Sequence, residues 1–148
     1  MLYTIGFTKK SAEDFFELLK KNNISTLIDI RLKNNSQLAG FAKGNDLKYF
    51  CKEILGIDYK HDIRFSPTEE LLDSYKKGLC EWDDFEIKFN KLMDERDIRN
   101  VIESEYKDKI EGACLLCSEL KADHCHRKLV AEYFQKSISD VNVEIAHI

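Results

Sequence analysis

Thr26-Leu27-Ile28-Asp29-Ile30 is a near-continuous apolar run broken only by Asp29. That pattern suits a strand covered on both faces, as strands of a parallel sheet are. Upstream, Ser11 is a good helix N-cap, followed by acids at Glu13 and Asp14 and the apolar pairs Phe15-Phe16 and Leu18-Leu19 at helical spacing, up to Asn22-Asn23. Before that helix, residues 2–5 form a short β-favouring run stopped by Gly6. The chain therefore opens with a predicted strand-helix-strand unit whose strands lie parallel in one sheet.

Downstream, the polar stretch 32–37 leads into a helix over residues 46–55, with Leu47, Phe50 and Ile54 on one face and Gly56 as its stop. Residues 57–61 read as a third, short strand. Pro67 opens a helix with Leu71, Leu72 and Tyr75 inward, ended by Gly78, and a further helix over 82–96 buries Trp82, Phe85, Phe89 and Leu92. Residues 97–109 fit helix or irregular structure, with helix favoured. Residues 113–116 are the next buried strand, and 125–135 a helix with Leu129, Val130, Tyr133 and Phe134 inside. Val141, Val143 and Ile145 alternate with Asn142, Glu144 and Ala146 up to His147, the pattern of a half-buried last strand. No internal repeat stands out. The expected fold is α/β, a single three-layer domain over 1–148 with a mostly parallel sheet of about five strands and helices on both faces.

With 43% hydrophobic and 34% charged residues and one Pro, the composition excludes disordered and collagen-like chains. The net charge of −4 means that a nucleic-acid partner would need a local basic patch. Lys43, Lys48, Lys52 and Lys60 do not form a dense stripe. No apolar run reaches membrane-spanning length and the first residues lack the order of a signal peptide, so a cytoplasmic location without membrane contact is expected. Five cysteines in such a chain read as reduced thiols rather than a disulfide framework.

Open parallel sheets bind ligands beyond the carboxyl ends of their strands. That edge collects Gly6-Phe7-Thr8, Asp29 with Arg31, Tyr59 with His61, Cys117-Ser118-Glu119, and His147. The densest cluster runs from Cys117 to Arg127, a strand end passing through a polar loop into a helix start. A thiol near a helix N-terminus and near cations can fall well below its usual pKa of about 8.5. Cys117 and Cys125 are the candidate reactive thiols, Cys117 placed for ligand contact and Cys125 for dipole-lowered acidity, with His126 as base and Arg127 as anion clamp. The plainer alternative has Cys125 packing the helix start, His126 capping locally, and Arg127 pairing with Glu119 or Asp29. Asp29 and Arg31 share a strand face, and either close the strand end as an ion pair or jointly bind a polar ligand. His61 and His147 read as structural, Cys114 as core, Cys51 and Cys80 as packing or surface thiols, and Trp82, Phe85 and Phe89 as core rather than a base-stacking platform.

Cys117, His124, Cys125 and His126 offer ligands for zinc or iron, but neighbours on a helix point about 100° apart and cannot all face one ion. Cys114 and Cys117, three apart on a strand, face opposite sides. The expectation is no metal and no cofactor.

Tyr3-Thr4-Ile5-Gly6, Leu27-Ile28-Asp29-Ile30-Arg31, Leu115-Leu116-Cys117-Ser118-Glu119 and Cys125-His126-Arg127 resemble the signature blocks of the family catalogued as domain of unknown function 488. The likeness spans nearly the whole chain in order. Ser36-Gln37-Leu38-Ala39-Gly40-Phe41 and Gly56-Ile57-Asp58-Tyr59 resemble further blocks of one branch. Many members carry His-Ser where this chain has Phe7-Thr8, and a proline soon after the Asp-x-Arg block where Lys33-Asn34-Asn35 stands here. The resemblance implies a compact α/β domain and a shared polar set of Asp29, Arg31, Cys117, Glu119, Cys125, His126 and Arg127, and it implies no settled activity. The strand ending in Asp29-Ile30-Arg31 also looks like the opening of rhodanese-type domains, whose cysteine heads a much shorter loop ending in arginine than Cys117 to Arg127 would make.

The leading functional expectation is a small enzyme with a thiol-centred site (Cys117, Cys125, His126) that binds an anionic substrate through Asp29, Arg31, Glu119 and Arg127. A nucleotide or nucleic-acid component falls within that class. The alternatives are a non-catalytic binding or regulatory module linked to nucleic-acid processing, and a metal-stabilised structural protein. The sequence leaves oligomeric state open.

Overall fold

The computed structural model describes residues 1–35 and 39–148. The Ser36-Gln37-Leu38 part of the family-like block lies outside the described residues. The opening unit is β1 Leu2–Gly6, α1 Ala12–Lys21 and β2 Thr26–Asp29. Ser11 Oγ accepts the Asp14 N–H at 3.0 Å, and α1 turns Phe15, Phe16 and Leu19 inward. Next come α2 Gly44–Phe50, β3 Asp58–His61, α3 Glu69–Lys76 and α4 Trp82–Glu95. The chain closes with α5 Ile98–Val101, β4 Ala113–Cys117, α6 His126–Ser137 and β5 Ile145–His147.

Several local expectations need correction. After α2 the helix widens to π geometry over Cys51–Leu55, which turns Ile54 out to solvent and Cys51 into the core. The wide turn ends at left-handed Gly56, as expected of a glycine stop. Thr68, not Pro67, caps α3, its hydroxyl accepting the Leu71 N–H. In α4 it is Met93 that is fully buried, with Leu92 only packed against the core. The segment 97–109 is helical, as the sequence reading favoured, α5 running on through a π turn over Ile102–Tyr106. The last strand is shorter than its alternation suggested, because Val141 is exposed and pairing with β1 covers only Ile145–His147.

All five strands are parallel, in the order β3-β2-β4-β1-β5. The register sets Gly6 beside Cys117, and Asp29 beside both Leu116 and His61. Central β4 is buried along its whole length. Its alternation sends Cys114 and Leu116 to the face covered by α1 and α2, and Leu115 and Cys117 to the face covered by α4, α5 and α6. The chain leaving β1 and β2 turns to the first face, whereas the chain leaving β4 turns to the second. Connections that diverge at the carboxyl ends of neighbouring strands open a crevice there, and Cys117 stands in the middle of it. No helix among the described residues is long and apolar enough to cross a membrane.

A buried polar knot fastens β3 to the helical segment before β4. Asp62, 4% exposed, accepts Arg64 Nε at 2.9 Å, Arg64 Nη2 at 2.7 Å and the Tyr106 hydroxyl at 2.6 Å. Arg64 in turn forks onto Glu105 at 2.7 and 2.8 Å. Burial alone would raise the Asp62 carboxyl, but these bonds outweigh it and hold its pKa down at about 2 against 3.8 when free. Because the folded value is the lower one, the knot's stabilisation is complete above the unfolded value and disappears as pH falls toward the folded one. Denaturant melts across a pH series should show about 2 kcal/mol lost on this limb. Asp62→Asn should weaken the fold at neutral pH and flatten that limb; an unchanged acid limb in the variant would refute the assignment.

Candidate functional site

β4 delivers Cys117 to the sheet edge, and the loop that follows returns to begin α6 at His126. The loop is tied down from below. Thr8 donates its backbone N–H and its hydroxyl to Ser118 O, at 3.1 and 2.5 Å. Arg127, only 1% exposed, donates Nη1 to Glu119 O, Nη2 to Leu120 O at 3.1 Å and Nε to Thr4 Oγ1 at 3.3 Å. Left-handed His124 turns the loop back, and its ring stacks on Trp82 with centroids 5.2 Å apart.

Cys117 Sγ lies 3.5 Å from His126 Nδ1, while His126 Nε2 lies 3.0 Å from Ile30 O. A carbonyl oxygen only accepts, so Nε2 carries a proton and Nδ1 faces the sulfur. In a neutral ring Nδ1 accepts the thiol proton, and in an imidazolium it donates to the thiolate. The Cys125 thiol hydrogen-bonds to Cys117 and favours its ionised form; burial opposes this, and the Ser118 and Glu119 N–H groups and the Arg127 charge add to it, so that the Cys117 pKa is lowered. Cys125 is driven the opposite way, first because it is the donor to Cys117 and then by burial. The expectation that the α6 N-terminus would acidify Cys125 is thus reversed: of two thiols sharing a proton, only one ionises easily. Burial pushes Cys51 up to about 12 and raises Cys114 further.

Arg31 forks onto Asp29 from the end of β2, Nε to Oδ1 at 2.8 Å and Nη2 to Oδ2 at 2.6 Å. Nη2 also donates to Ala42 O at 2.8 Å, and the guanidinium lies over the Phe7 ring at 5.2 Å. Tyr59 donates its hydroxyl to Asp29 Oδ2 at 2.5 Å; burial and that carboxylate push the phenol up. Burial would weaken the Arg31 charge, but the Asp29 bonds and charge more than compensate and raise it. Arg31 Nη1 is nevertheless buried without a hydrogen-bond partner among the described residues.

Asp62-Ile63-Arg64 repeats Asp29-Ile30-Arg31, one strand further out. In both, the arginine N–H and Nε bond Oδ1, Nη2 bonds Oδ2, and a tyrosine hydroxyl donates to Oδ2. The forks differ at one atom. Arg64 Nη1 is matched by Glu105 at 2.7 Å, whereas Arg31 Nη1 is unmatched.

Arg31, Cys117, Glu119, Cys125 and His126 line one open cavity of about 360 Å³. Pro67, Leu72 and Tyr75 from around α3, together with Phe85 of α4, form an apolar wall that the sequence reading did not anticipate. Two of the expected substrate-binding residues do not line it. Asp29 is fully buried and braces Arg31, and Arg127 spends its donors on the loop carbonyls. His61 and His147 make structural contacts, to Arg31 O at 2.6 Å and to the Thr4 hydroxyl at 2.7 Å. The repeated Asp-Ile-Arg was the signal in the sequence that would have identified Tyr59 and Tyr106 as partners worth seeking.

The ligand atoms of Cys117, Cys125 and His126 lie within 4.8 Å of one another. Neighbouring residues can face one point here because Cys125 precedes the helix with an extended backbone, φ −123° and ψ 137°, so the expected helical divergence does not apply. The 3.5 Å between Cys117 Sγ and His126 Nδ1 equals what tetrahedral geometry sets between a sulfur at about 2.3 Å and a nitrogen at about 2.0 Å from one ion. Among the described residues, these three side chains are therefore the group that could hold a soft metal.

A family model described as Domain of unknown function DUF488 matches residues 11–134, a span that includes Asp29, Arg31 and the whole Cys117 to Arg127 cluster. No curated protein and no solved structure matches the chain.

Gly6 exposes how tightly the loop is seated. A Cβ there would overlap the Glu119 carbonyl and come within 2.9 Å of Arg127 Nη1, whereas one at Gly40 would meet nothing within 4 Å. Gly6→Ala is expected to cost about 2–3 kcal/mol by equilibrium unfolding, against less than about 0.5 kcal/mol for Gly40→Ala. Equal effects would show that the loop is not held against β1.

Proposed function

The chain belongs to the DUF488 family, and we propose that it is a small enzyme in which Cys117 attacks an anionic substrate anchored at Arg31. The observation that carries this reading is the pairing of an acidified thiol with His126 Nδ1 in the cavity that Arg31 also lines. His126 takes the proton as Cys117 ionises, and the Ile30 carbonyl keeps its ring oriented while it does so. Arg31 is already locked by Asp29 and the Tyr59 hydroxyl, so binding an anion requires little reorganisation. An acceptor oxygen on the substrate takes at Arg31 Nη1 the place that Glu105 takes at Arg64. A cavity of this size suits a small molecule, and the Tyr75 and Phe85 side chains along it keep a nucleotide within the class. Free thiols at such a site suit a reducing compartment, which supports the cytoplasm as its location.

One observation favours a second reading. The 4.8 Å triangle of Cys117, Cys125 and His126 would also serve a metal centre with one position open to the cavity. Iodoacetamide labelling followed by peptide mapping, beside metal analysis of the same sample, separates the two. Cys117 should label fastest, with a rate that falls as pH drops through an inflection below the free-thiol value of about 8.5. Cys117→Ser should abolish the fast phase and leave the melting temperature nearly unchanged. Uniformly slow labelling would point to a binding module instead, and stoichiometric metal protecting Cys117 from label would favour the metal centre.

A further inference from the structure

A simple attack by Cys117 asks nothing of Cys125 beyond favouring the thiolate, yet its sulfur also lies within reach of the reacting one. We infer that Cys125 is a resolving cysteine, and that the substrates are small disulfides carrying a carboxylate, which the site reduces by thiol exchange. This rests on the reading of Cys117 as nucleophile and adds the partner that completes the turnover.

Three geometric features support it. The two sulfurs and His126 lie within 4.8 Å of one another beside the cavity, so one thiol can reach a group attached to the other. Arg127 Nη1 donates to Cys125 Sγ at 3.6 Å, which places a buried cation where negative charge develops if Cys125 ionises. A thiol that merely packed the helix start would have no use for that contact. Finally, Cys117 sits on the central strand whereas Cys125 ends a loop whose residues Leu120, Lys121, Asp123 and His124 are exposed. A disulfide needs its Cβ atoms within about 4.5 Å; the backbone anchors of the loop fall on Ser118, Glu119 and Leu120 at its start, so its far end, which carries Cys125, is the side with the shorter way to give.

The exchange balances as follows. The Cys117 thiolate attacks one sulfur of the substrate disulfide, a new S–S bond forms, and the other half leaves as a thiolate that takes from His126 Nδ1 the proton Cys117 gave it. Cys125 passes its proton to His126 Nδ1 and attacks Cys117 Sγ, releasing the second half as a thiolate and leaving a Cys117–Cys125 disulfide. Two protein thiols are oxidised and one substrate disulfide is reduced. A second thiol compound, such as reduced glutathione in excess, restores the protein pair by the reverse exchange.

Glutathione disulfide is the test probe, added to the reduced full-length protein and followed by intact mass and non-reducing peptide mapping. The wild type should lose two hydrogen atoms and yield one linked peptide pair joining Cys117 to Cys125. Cys125→Ser and Cys125→Ala should instead hold a glutathione adduct on Cys117, and Cys117→Ser should form neither product. A persistent adduct on wild-type Cys117, or no reaction with the probe while iodoacetamide still labels Cys117, overturns the resolving role and leaves the nucleophile intact. If Cys117 takes neither reagent, the nucleophile itself is refuted. Mapping of the wild type requires no variant to fold.

Discussion

The site depends on one buried cation. Removing the Arg127 guanidinium from water costs several kcal/mol unless its donors are matched. Its partners are neutral: two loop carbonyls, the Thr4 hydroxyl and the Cys125 sulfur. Matching them ties the start of the loop, at Glu119 and Leu120, to β1 and keeps the Cys125 sulfur beside the same guanidinium. Because no carboxylate among the described residues neutralises the charge directly, its field remains available at the site, where it adds to the effect of Cys125 in lowering the Cys117 pKa. The same field, after burial, lowers the pKa of His147, whose Nδ1 is in hydrogen-bond contact with the Thr4 hydroxyl. A single side chain thus orders the loop, β1 and the end of β5.

The two Asp-Ile-Arg forks show how one local device is turned to two purposes. In each, the aspartate Oδ1 accepts the backbone N–H two residues on, a local turn that brings the arginine back over the same carboxylate without any long-range partner. A tyrosine from a different element then closes each fork. At Arg64 the remaining donor is consumed by Glu105 and the knot is purely structural. At Arg31, a residue that lines the cavity, that donor has no partner among the described residues, and an unmatched buried donor is a standing cost that a ligand acceptor would remove.

The fold was readable because its signals are local. Apolar runs at Thr26 and Ala113, the cap at Ser11 and the stop at Gly56 each act within a few residues, and alternation of strand and helix then implies a parallel sheet. The expected cluster of Cys117, Cys125 and His126 also followed from adjacency. What the sequence did not disclose depended on partners far away along the chain. Arg127 looks like an anion clamp until Thr4 and the loop carbonyls are seen to surround it. Cys125 looks acidic beside a helix N-terminus until Cys117 and burial are seen to push its thiol the other way. The α3 wall could not be placed, since half-buried Leu72 and Tyr75 carry the same periodicity whether a helix covers a core or borders a crevice. Ile54 failed for a subtler reason: a π turn adds a residue to the helical period and rotates every later side chain.

The reactive geometry finally comes down to a lone pair. The Ile30 carbonyl fixes the proton on His126 Nε2, so Nδ1 offers a single lone pair to the centre of the triangle. That lone pair can take a proton from a thiol or bind a metal, but not both at once. Acid–base chemistry and metal binding are therefore mutually exclusive states of the same three side chains. Which one prevails follows from the fourth participant: Arg127 beside Cys125 Sγ already provides positive charge there, and a second cation close to it would be repelled. A buried guanidinium next to a proposed ligand sulfur thus weighs against a metal and in favour of thiolate chemistry.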